Sequence, residues 1–225
     1  MIIGLVFPLY YFGLPVIVED FIKGLEISPN TYVFVIVTRG EPLAGGAKRQ
    51  VEKLMKKKGR RYHFFRYITM GNNYPFHFFN GSKDKLRGLR NQKADTAAMT
   101  IATAINMRQE LRKFSFLDYP PFPTITFRIP VFGYKHFQKI YNQDSRFVID
   151  KNHCNKCKKC VHHCPMNNIE IHSDVVWKHE GCQMCLACYN CRPKNAIQYI
   201  DSLYKVDTSV KRQYWNFGSN EYGEK

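Results

Sequence analysis

The sequence predicts an α/β protein in two parts: a partial parallel sheet with helices, then a small α+β domain rich in cysteine. Three observations support this prediction. Short apolar runs alternate with amphipathic segments in the first half of the chain, which is typical of βαβ units. All 8 cysteines lie between residues 154 and 191. A stretch rich in proline and aromatic residues separates the two parts.

Three apolar runs predict the strands of the first part. Residues 2–7 are uniformly apolar, which indicates a strand buried on both faces. Residues 32–37 predict a second buried strand, and the aromatic stretch 62–70 predicts a third. Strands that alternate with helices form parallel sheets, and such sheets bind ligands at the carboxyl ends of their strands. Here those ends are the loops 8–13 and 38–46.

Three segments between and after these runs have the spacing of amphipathic helices. Pro15 suits the first position of a helix, whose inner face is predicted as Ile17, Val18, Phe21, Ile22 and Leu25. The second helix ends near Gly59, and its inner face is predicted as Ala47, Val51, Leu54 and Met55. The third spans about residues 83–114, with an inner face of Ala94, Ala98, Ile101, Ile105 and Leu111.

The cysteines form two rows of closely spaced thiols. The first row is Cys154-x-x-Cys157-x-x-Cys160-x-x-x-Cys164-Pro165, and the second is Cys182-x-x-Cys185-x-x-Cys188-x-x-Cys191-Arg192-Pro193. Two-residue spacing lets one loop place three thiolates around one iron–sulfur cube, while the fourth cysteine ligates the other cube. The sequence therefore predicts two [4Fe–4S] clusters that take ligands from both rows.

The two rows are also an internal repeat of 28 residues. The shift maps the first three thiols of one row onto those of the other, Cys154 onto Cys182, Cys157 onto Cys185 and Cys160 onto Cys188. It maps Cys164 onto Arg192, so the last thiol of the second row, Cys191, comes one position early. We predict that Cys191 is still a ligand, because a loop can absorb this offset by rearranging its backbone. A three-iron cluster is the alternative there.

Disulfides and zinc are the other common uses of such cysteines. Disulfides need an oxidising compartment, and the chain has no convincing secretory signal. Zinc also binds paired C-x-x-C motifs, and five histidines lie close by in sequence: His153, His162, His163, His172 and His179. Zinc sites rarely use three such spacings followed by Cys-Pro, so the pattern favours iron and sulfide.

The charge of the chain points to an acidic partner. There are 34 Lys+Arg against 18 Asp+Glu, a formal net charge of +16, part of which is offset by anionic clusters. Nucleic acid is disfavoured, because no repeated basic–aromatic surface is evident. The first 18 residues carry no charge, but Pro8, Gly13 and Pro15 interrupt them, so neither a signal peptide nor a membrane span is predicted. We expect a cytoplasmic protein.

The cysteine rows resemble those of bacterial two-cluster ferredoxins, and the first row matches that signature fully. Residues 6–10 and 13–15, and Gly45-Gly46-Ala47, resemble a family in which a flavodoxin domain is fused to a C-terminal ferredoxin. The resemblance implies a truncated flavodoxin-like domain over 1–114 and a two-cluster ferredoxin-type domain over 145–203. Composition predicts a connector rich in proline and aromatic residues over 115–144 and a polar tail over 204–225.

The resemblance also implies what the chain lacks. A flavodoxin opens with a strand and a Ser/Thr/Gly-rich loop that cradles the FMN phosphate, whereas this chain starts at the family's third strand. Tyr10 or Tyr11 can stack on a flavin, but without the phosphate loop we expect FMN binding to be weak or absent. The missing strands bare one edge of the first strand, which we expect to pair with another polypeptide.

These features favour an electron carrier. Two neighbouring cubes pass single electrons between redox partners, and Lys156, Lys158 and Lys159 would attract an acidic partner. One alternative is an FMN-dependent oxidoreductase fed by the clusters, and another is a zinc-binding scaffold or nucleic-acid-binding protein. Since no Ser/His/Asp set, P-loop or carboxylate pair stands out, we expect a carrier rather than a stand-alone enzyme.

Overall fold

The structure is a computed structural model, which describes residues 1–10, 13–40, 46–71, 84–111, 146–178 and 181–199. The described residues up to 111 belong to one compact unit, and those from 146 to 199 belong to a second. The predicted connector 115–144 and tail 204–225 lie outside the described residues. The predicted domain bounds 1–114 and 145–203 stay predictions.

The N-terminal unit is built on a parallel three-stranded sheet in the order β1-β2-β3. Its strands are β1 (Ile2–Pro8), β2 (Tyr32–Arg39) and β3 (Phe64–Thr69). Its helices are α1 (Val16–Gly24), α2 (Ala47–Lys57) and α3 (Asp84–Asn106). The alternation of strands and helices in a parallel sheet is confirmed. The likeness to a flavodoxin, which has five strands, stays a prediction.

Side chains on alternate positions of the sheet pack into two cores. The larger core joins the sheet to α1 and α2, and its buried members include Leu5, Phe7, Ile22, Val33, Val35, Val37, Val51 and Met55. The smaller core joins β2 and β3 to α3 through Tyr32, Ile36, Phe64, Ile68 and Ala94. Burial of each such aliphatic or aromatic side chain contributes roughly 1.5–3 kcal/mol, so these faces hold the helices on the sheet.

One face of β1 differs from the prediction. A uniformly apolar run predicts burial on both faces, but Ile2 is 47% exposed and Val6 is 64% exposed, while Leu5 and Phe7 are buried. The reason is position: β1 is the edge strand, and the smaller core draws its buried strand residues from β2 and β3. Within the described part of the chain, the even-numbered face of β1 is therefore only partly covered.

The outer edge of β1 is bare among the described residues, as the sequence predicts. The N–H of Leu9 donates to Thr38 O over 2.7 Å, so the odd-numbered residues of β1 bond to β2. The backbone groups that point away from β2 belong to Ile2, Gly4 and Val6. Pro8 has no N–H and ends this row of donors.

The predicted helix faces are partly correct. In α1, Ile22 is buried and Val18 packs on the core, but Ile17 and Phe21 are exposed. The inner face of α2 is as predicted. Helix α3 ends at Asn106 rather than near residue 114, and its Ala98 is exposed. Spacing alone could not show how wide a stripe the sheet covers. No helix in the described ranges is long and apolar enough to cross a membrane.

The C-terminal unit consists of two halves with the same order of elements. The first half is β4 (Phe147–Ile149), α4 (Lys159–His162) and β5 (Ile169–Ile171), and the second is β6 (Val175–Trp177), α5 (Ala187–Cys191) and β7 (Ile197–Tyr199). Every strand and helix start of the second half lies 28 residues after its counterpart. Strand β4 pairs antiparallel with β7, and β5 with β6, so each two-stranded sheet joins the two halves.

Candidate metal centre

Each cysteine row lies in a loop that turns at left-handed residues. Lys156 and Lys158 have φ angles of 53° and 61°, and Met184 and Leu186 have 50° and 60°. Residues other than glycine rarely adopt this conformation, so its return after 28 positions shows that both loops have one backbone shape. Such turns direct successive amides to one side, which suits an anionic ligand.

Backbone amides donate to three of the thiol sulfurs. The N–H of Asn168 donates to Cys164 Sγ over 3.3 Å. Burial raises the pKa of Cys160 and Cys185, and backbone N–H hydrogen bonds from Val161 to Cys160 and from Ala187 to Cys185 partly oppose that rise. Donors of this kind stabilise a negatively charged sulfur, so each loop supplies part of the environment that a bound thiolate requires.

The thiols fall into two groups, and each group lines its own recess. What we call the first recess is lined by Cys154, Cys157 and Cys160 from the first row. The second recess is lined by Cys182, Cys185 and Cys188 from the second row together with Cys164 from the first. Cys164 therefore leaves its own row and joins the other one. The sequence predicts such a crossing for both rows, and the two ligand sets stay a prediction.

Cys191 lies near the first row but not on the wall of the first recess. It interacts electrostatically with Cys160 and Cys157, and its pKa, raised mainly by burial and further by those thiols, is about 12. The wall itself includes Arg192 and not Cys191. Because charges interact over several ångströms, the interaction shows proximity and does not show contact with the recess.

The one-residue offset of Cys191 does not change the length of its loop, and its absorption by backbone rearrangement stays a prediction. Asn167 and Asn195, which follow the two rows, are both left-handed and remain 28 residues apart, and the same is true of Lys158 and Leu186 before them. The loop between these points has therefore kept its length. Cys191 instead reaches the first row as the last residue of α5, where its thiol donates to Cys188 O over 3.4 Å.

The environment of the thiols suits ligands of an iron–sulfur cluster better than it suits solvated thiols or disulfides. Burial raises the pKa of Cys160 and Cys185, and it raises the pKa of Cys188 well above its usual value. Buried thiolates need a compensating cation, which cluster iron would supply. All eight cysteines are free thiols rather than disulfides.

A buried donor beside the second recess supports the same fit. Trp177 lines this recess, and its buried indole N–H has no acceptor within the described residues. Its ring stacks on Phe147 at 6.0 Å between centroids, so the side chain packs on its own domain. A sulfur of a bound cluster is an acceptor of the kind that this N–H lacks.

The geometry differs from that of a single-ion site. Among the residues that the structure describes, no three His, Cys, Asp or Glu side chains lie close enough to hold one metal ion. Four ligands of one zinc ion lie about 2.3 Å from it, whereas the four thiols of a cube bind four different irons and lie farther apart.

The histidines near the rows make other contacts. His153 Nδ1 lies 2.7 Å from Asp150 Oδ2, and His172 Nε2 lies 3.2 Å from Glu170 Oε2. None of the four described histidines appears in the wall of either recess, and His179 lies outside the described residues.

Arg192 is the residue whose importance the sequence analysis missed. Its side chain is buried, its Cζ lies 3.3 Å from the centre of the Tyr189 ring, and one of its amino groups donates to Tyr189 O. It lines the first recess beside the three thiols of the first row. The signal in the sequence was the 28-residue shift, which places a cation where the first row has Cys164.

The loops assigned to a flavin are only partly described. Tyr10 and Gly13 form a small bridge with N–H to O distances of 3.0 and 2.8 Å, whereas Tyr11 and residues 41–45 lie outside the described part. Within the described residues, the N-terminal unit has no phosphate-binding loop of the flavodoxin kind. The expectation that FMN binds weakly or not at all stays a prediction.

Residues 147–170 match the model of the 4Fe–4S binding domain, so the C-terminal unit is an iron–sulfur domain. A ferredoxin of Methanothermococcus thermolithotrophicus is 40% identical to the chain over 54 residues, which are 22% of this chain and 90% of that ferredoxin. The chain therefore belongs to the 4Fe–4S ferredoxins through this part of its length. These matches and the clustered thiols support an iron–sulfur electron-transfer role with at least one [4Fe–4S] cluster.

Proposed function

We propose that the chain relays single electrons through two [4Fe–4S] clusters between redox partner proteins. The observation that carries this proposal is that two sets of thiols line two recesses. The second recess takes thiols from both rows. A single-cluster protein needs only four thiols, and here a second set lies in a second loop of the same shape.

The proposed ligands use every cysteine of the chain. The first cluster is bound by Cys154, Cys157, Cys160 and Cys191, and the second by Cys164, Cys182, Cys185 and Cys188. Each cluster supplies a one-electron couple, and the chain holds it with thiolates, directs amides at the sulfurs and excludes water. Two-stranded sheets that join the halves support this arrangement, because they fix one loop against the other.

The proposed docking face for an acidic partner surrounds the first recess. Cys157 is exposed there, and Lys156, Lys158 and Lys159 are exposed around it. An acidic partner would be attracted to these charges and would meet the cluster where the least protein covers it. The three lysines on the wall of the first recess, Lys156, Lys158 and Lys194, support this choice over the second recess, whose described lining holds no lysine.

Analysis of protein purified without oxygen tests the function. We expect about eight iron and eight sulfide per chain, with reduced-state spectra of two interacting clusters. About four iron per chain would reduce the proposal to a one-cluster carrier. Zinc without iron would establish the scaffold alternative, and one tightly bound FMN per chain would establish the flavoprotein alternative.

A second polypeptide is proposed as the partner of the β1 edge. Three outward-facing N–H groups and an apolar, exposed Val6 support this, since bare edges of this kind favour added strands. The pairing is separate from electron transfer and can fail without affecting the cluster proposal.

A further inference from the structure

The two recesses differ in charge. The wall of the first contains four basic residues, Lys156, Lys158, Arg192 and Lys194. The described wall of the second contains no charged side chain and consists otherwise of apolar or neutral residues such as Trp177, Met166 and Gln183. The internal repeat makes the loops alike in shape, so the charge of the wall is a difference that loop shape does not explain.

We propose that Arg192 makes the cluster of the first recess the one with the higher reduction potential, so that a single electron on the reduced chain resides there. This inference rests on the proposed two-cluster function. Addition of an electron makes a cluster more anionic, and a nearby fixed cation stabilises the added charge.

Arg192 contributes more than the three lysines because it is buried and fixed. It is 5% exposed, and the Tyr189 ring and carbonyl oxygen hold its guanidinium in place. The three lysines are exposed, so water and salt screen their charges. A guanidinium also stays protonated at every pH in which the fold survives, so its charge does not depend on its surroundings.

The surroundings of the second recess lower the reduction potential of its cluster. Cys188 is buried, and the rings of Phe147 and Trp177 form part of the wall, so added negative charge there is poorly solvated. The indole N–H of Trp177 and the amide of Asn168 partly offset this effect. These two groups are neutral dipoles, whereas Arg192 carries a full charge. The first row also has its own amide donor at Val161, so the difference in reduction potential between the two clusters remains.

The electron transfer inside the chain is then directional. The second cluster loses one electron and is oxidised, and the first cluster gains that electron and is reduced. No bond breaks and no proton moves. A one-electron donor protein of low potential supplies the electron to the second cluster, and the acceptor takes it from the first, beside the exposed lysines and Cys157.

A redox titration of the full-length holoprotein, followed by electron paramagnetic resonance, tests the proposal. The parent should show two midpoint potentials. In Arg192→Gln the higher one should fall, with at least a tenfold lower ratio of reduced to oxidised cluster at a fixed potential, equal to about 59 mV for one electron. The lower midpoint should not move. Arg192→Lys should retain most of the parent value, because it keeps the charge.

Two further variants keep the test decisive. Lys151→Gln removes an exposed cation that lines neither recess and should leave both midpoints unchanged. Gln183→Lys places a cation on the second recess and should raise the lower midpoint, even if Arg192→Gln fails to assemble its clusters. Two clusters whose midpoints respond to neither change would overturn this inference alone. A parent with one cluster by iron and sulfide content would overturn the two-cluster function as well.

Discussion

The ring of Phe34 on β2 lies directly over Gly4 on β1, the neighbouring strand. A Cβ added at residue 4 would lie 2.7 Å from Phe34 Cε2, well inside van der Waals contact. We therefore expect Gly4→Ala to destabilise the N-terminal sheet by about 1–3 kcal/mol, the usual cost of overpacking. Hydrogen exchange of the β1 and β2 amides in the full-length chain measures it.

Gly24 is the matched control for Gly4. It lies at the end of α1, and a Cβ there would meet nothing within 4 Å. Gly24→Ala should change stability by no more than about 0.5 kcal/mol. Equal exchange rates in the two variants would contradict the close approach of Phe34 and Gly4.

The crossed ligand sets predict which pairs of cysteine substitutions act on the same cluster. Cys164→Ala and Cys185→Ala should each remove one cluster, and the double variant should keep the other, leaving about four iron per chain. Cys164→Ala combined with Cys157→Ala should lose both clusters, although these two cysteines belong to one row. Iron and sulfide contents of the purified variants provide the measurement. The reverse pattern would show that each row binds its own cluster.

Cys191 and Arg192 predict a rescue experiment. Cys191→Ala should convert the first cluster to a three-iron form or lose it, since one ligand is missing. Addition of Arg192→Cys to that variant should restore four irons, because residue 192 is the repeat equivalent of Cys164. Electron paramagnetic resonance of the oxidised protein distinguishes the two cluster types. Two intact four-iron clusters in Cys191→Ala would remove Cys191 from the ligand set.

The hydroxyl of Tyr32 predicts alkaline sensitivity of the N-terminal unit. It donates to Gln109 O over 2.6 Å, and burial, with a smaller contribution from Glu110, raises the pKa of Tyr32. The neutral form is favoured in the folded state, so its contribution is fully present below the unfolded pKa near 10 and is lost as pH rises through the folded pKa.

Tyr32→Phe should therefore lower the free energy of unfolding by about 1 kcal/mol at pH 8. The difference in unfolding free energy between this variant and the parent should disappear above about pH 10. Urea unfolding followed by circular dichroism at pH 8, 10 and 11 measures both effects. A gap that stays constant over this range would show that the phenol is not protected in the fold.

The bare edge of β1 predicts association that one proline can block. The N–H of Val6 points away from β2, so Val6→Pro removes an outward donor and keeps the hydrogen bonds of the sheet. We expect the parent to form a larger species through this edge and Val6→Pro to sediment as a monomer. Leu5→Pro, whose N–H bonds to β2, should instead disrupt the sheet. A monomeric parent with no bound polypeptide would contradict the pairing.

Local patterns in the chain determined much of what is known about this protein. The order of strands and helices follows from apolar runs of the right length. These runs predicted a parallel sheet, and the structure confirmed it. The thiol spacing was enough to indicate a [4Fe–4S] domain, which the family match over residues 147–170 supports. Both depend on residues close together in sequence, where covalent geometry limits what a loop or strand can do.

Only the tertiary structure decided what depends on distant neighbours. Ile2 and Val6 look like core residues in the sequence, yet they are exposed because β1 lies at the edge of the sheet. Arg192 looks like an ordinary surface arginine, yet its guanidinium is buried against Tyr189 and lines the first recess. Burial and charge environment arise when separate segments pack together, so spacing along the chain cannot specify them.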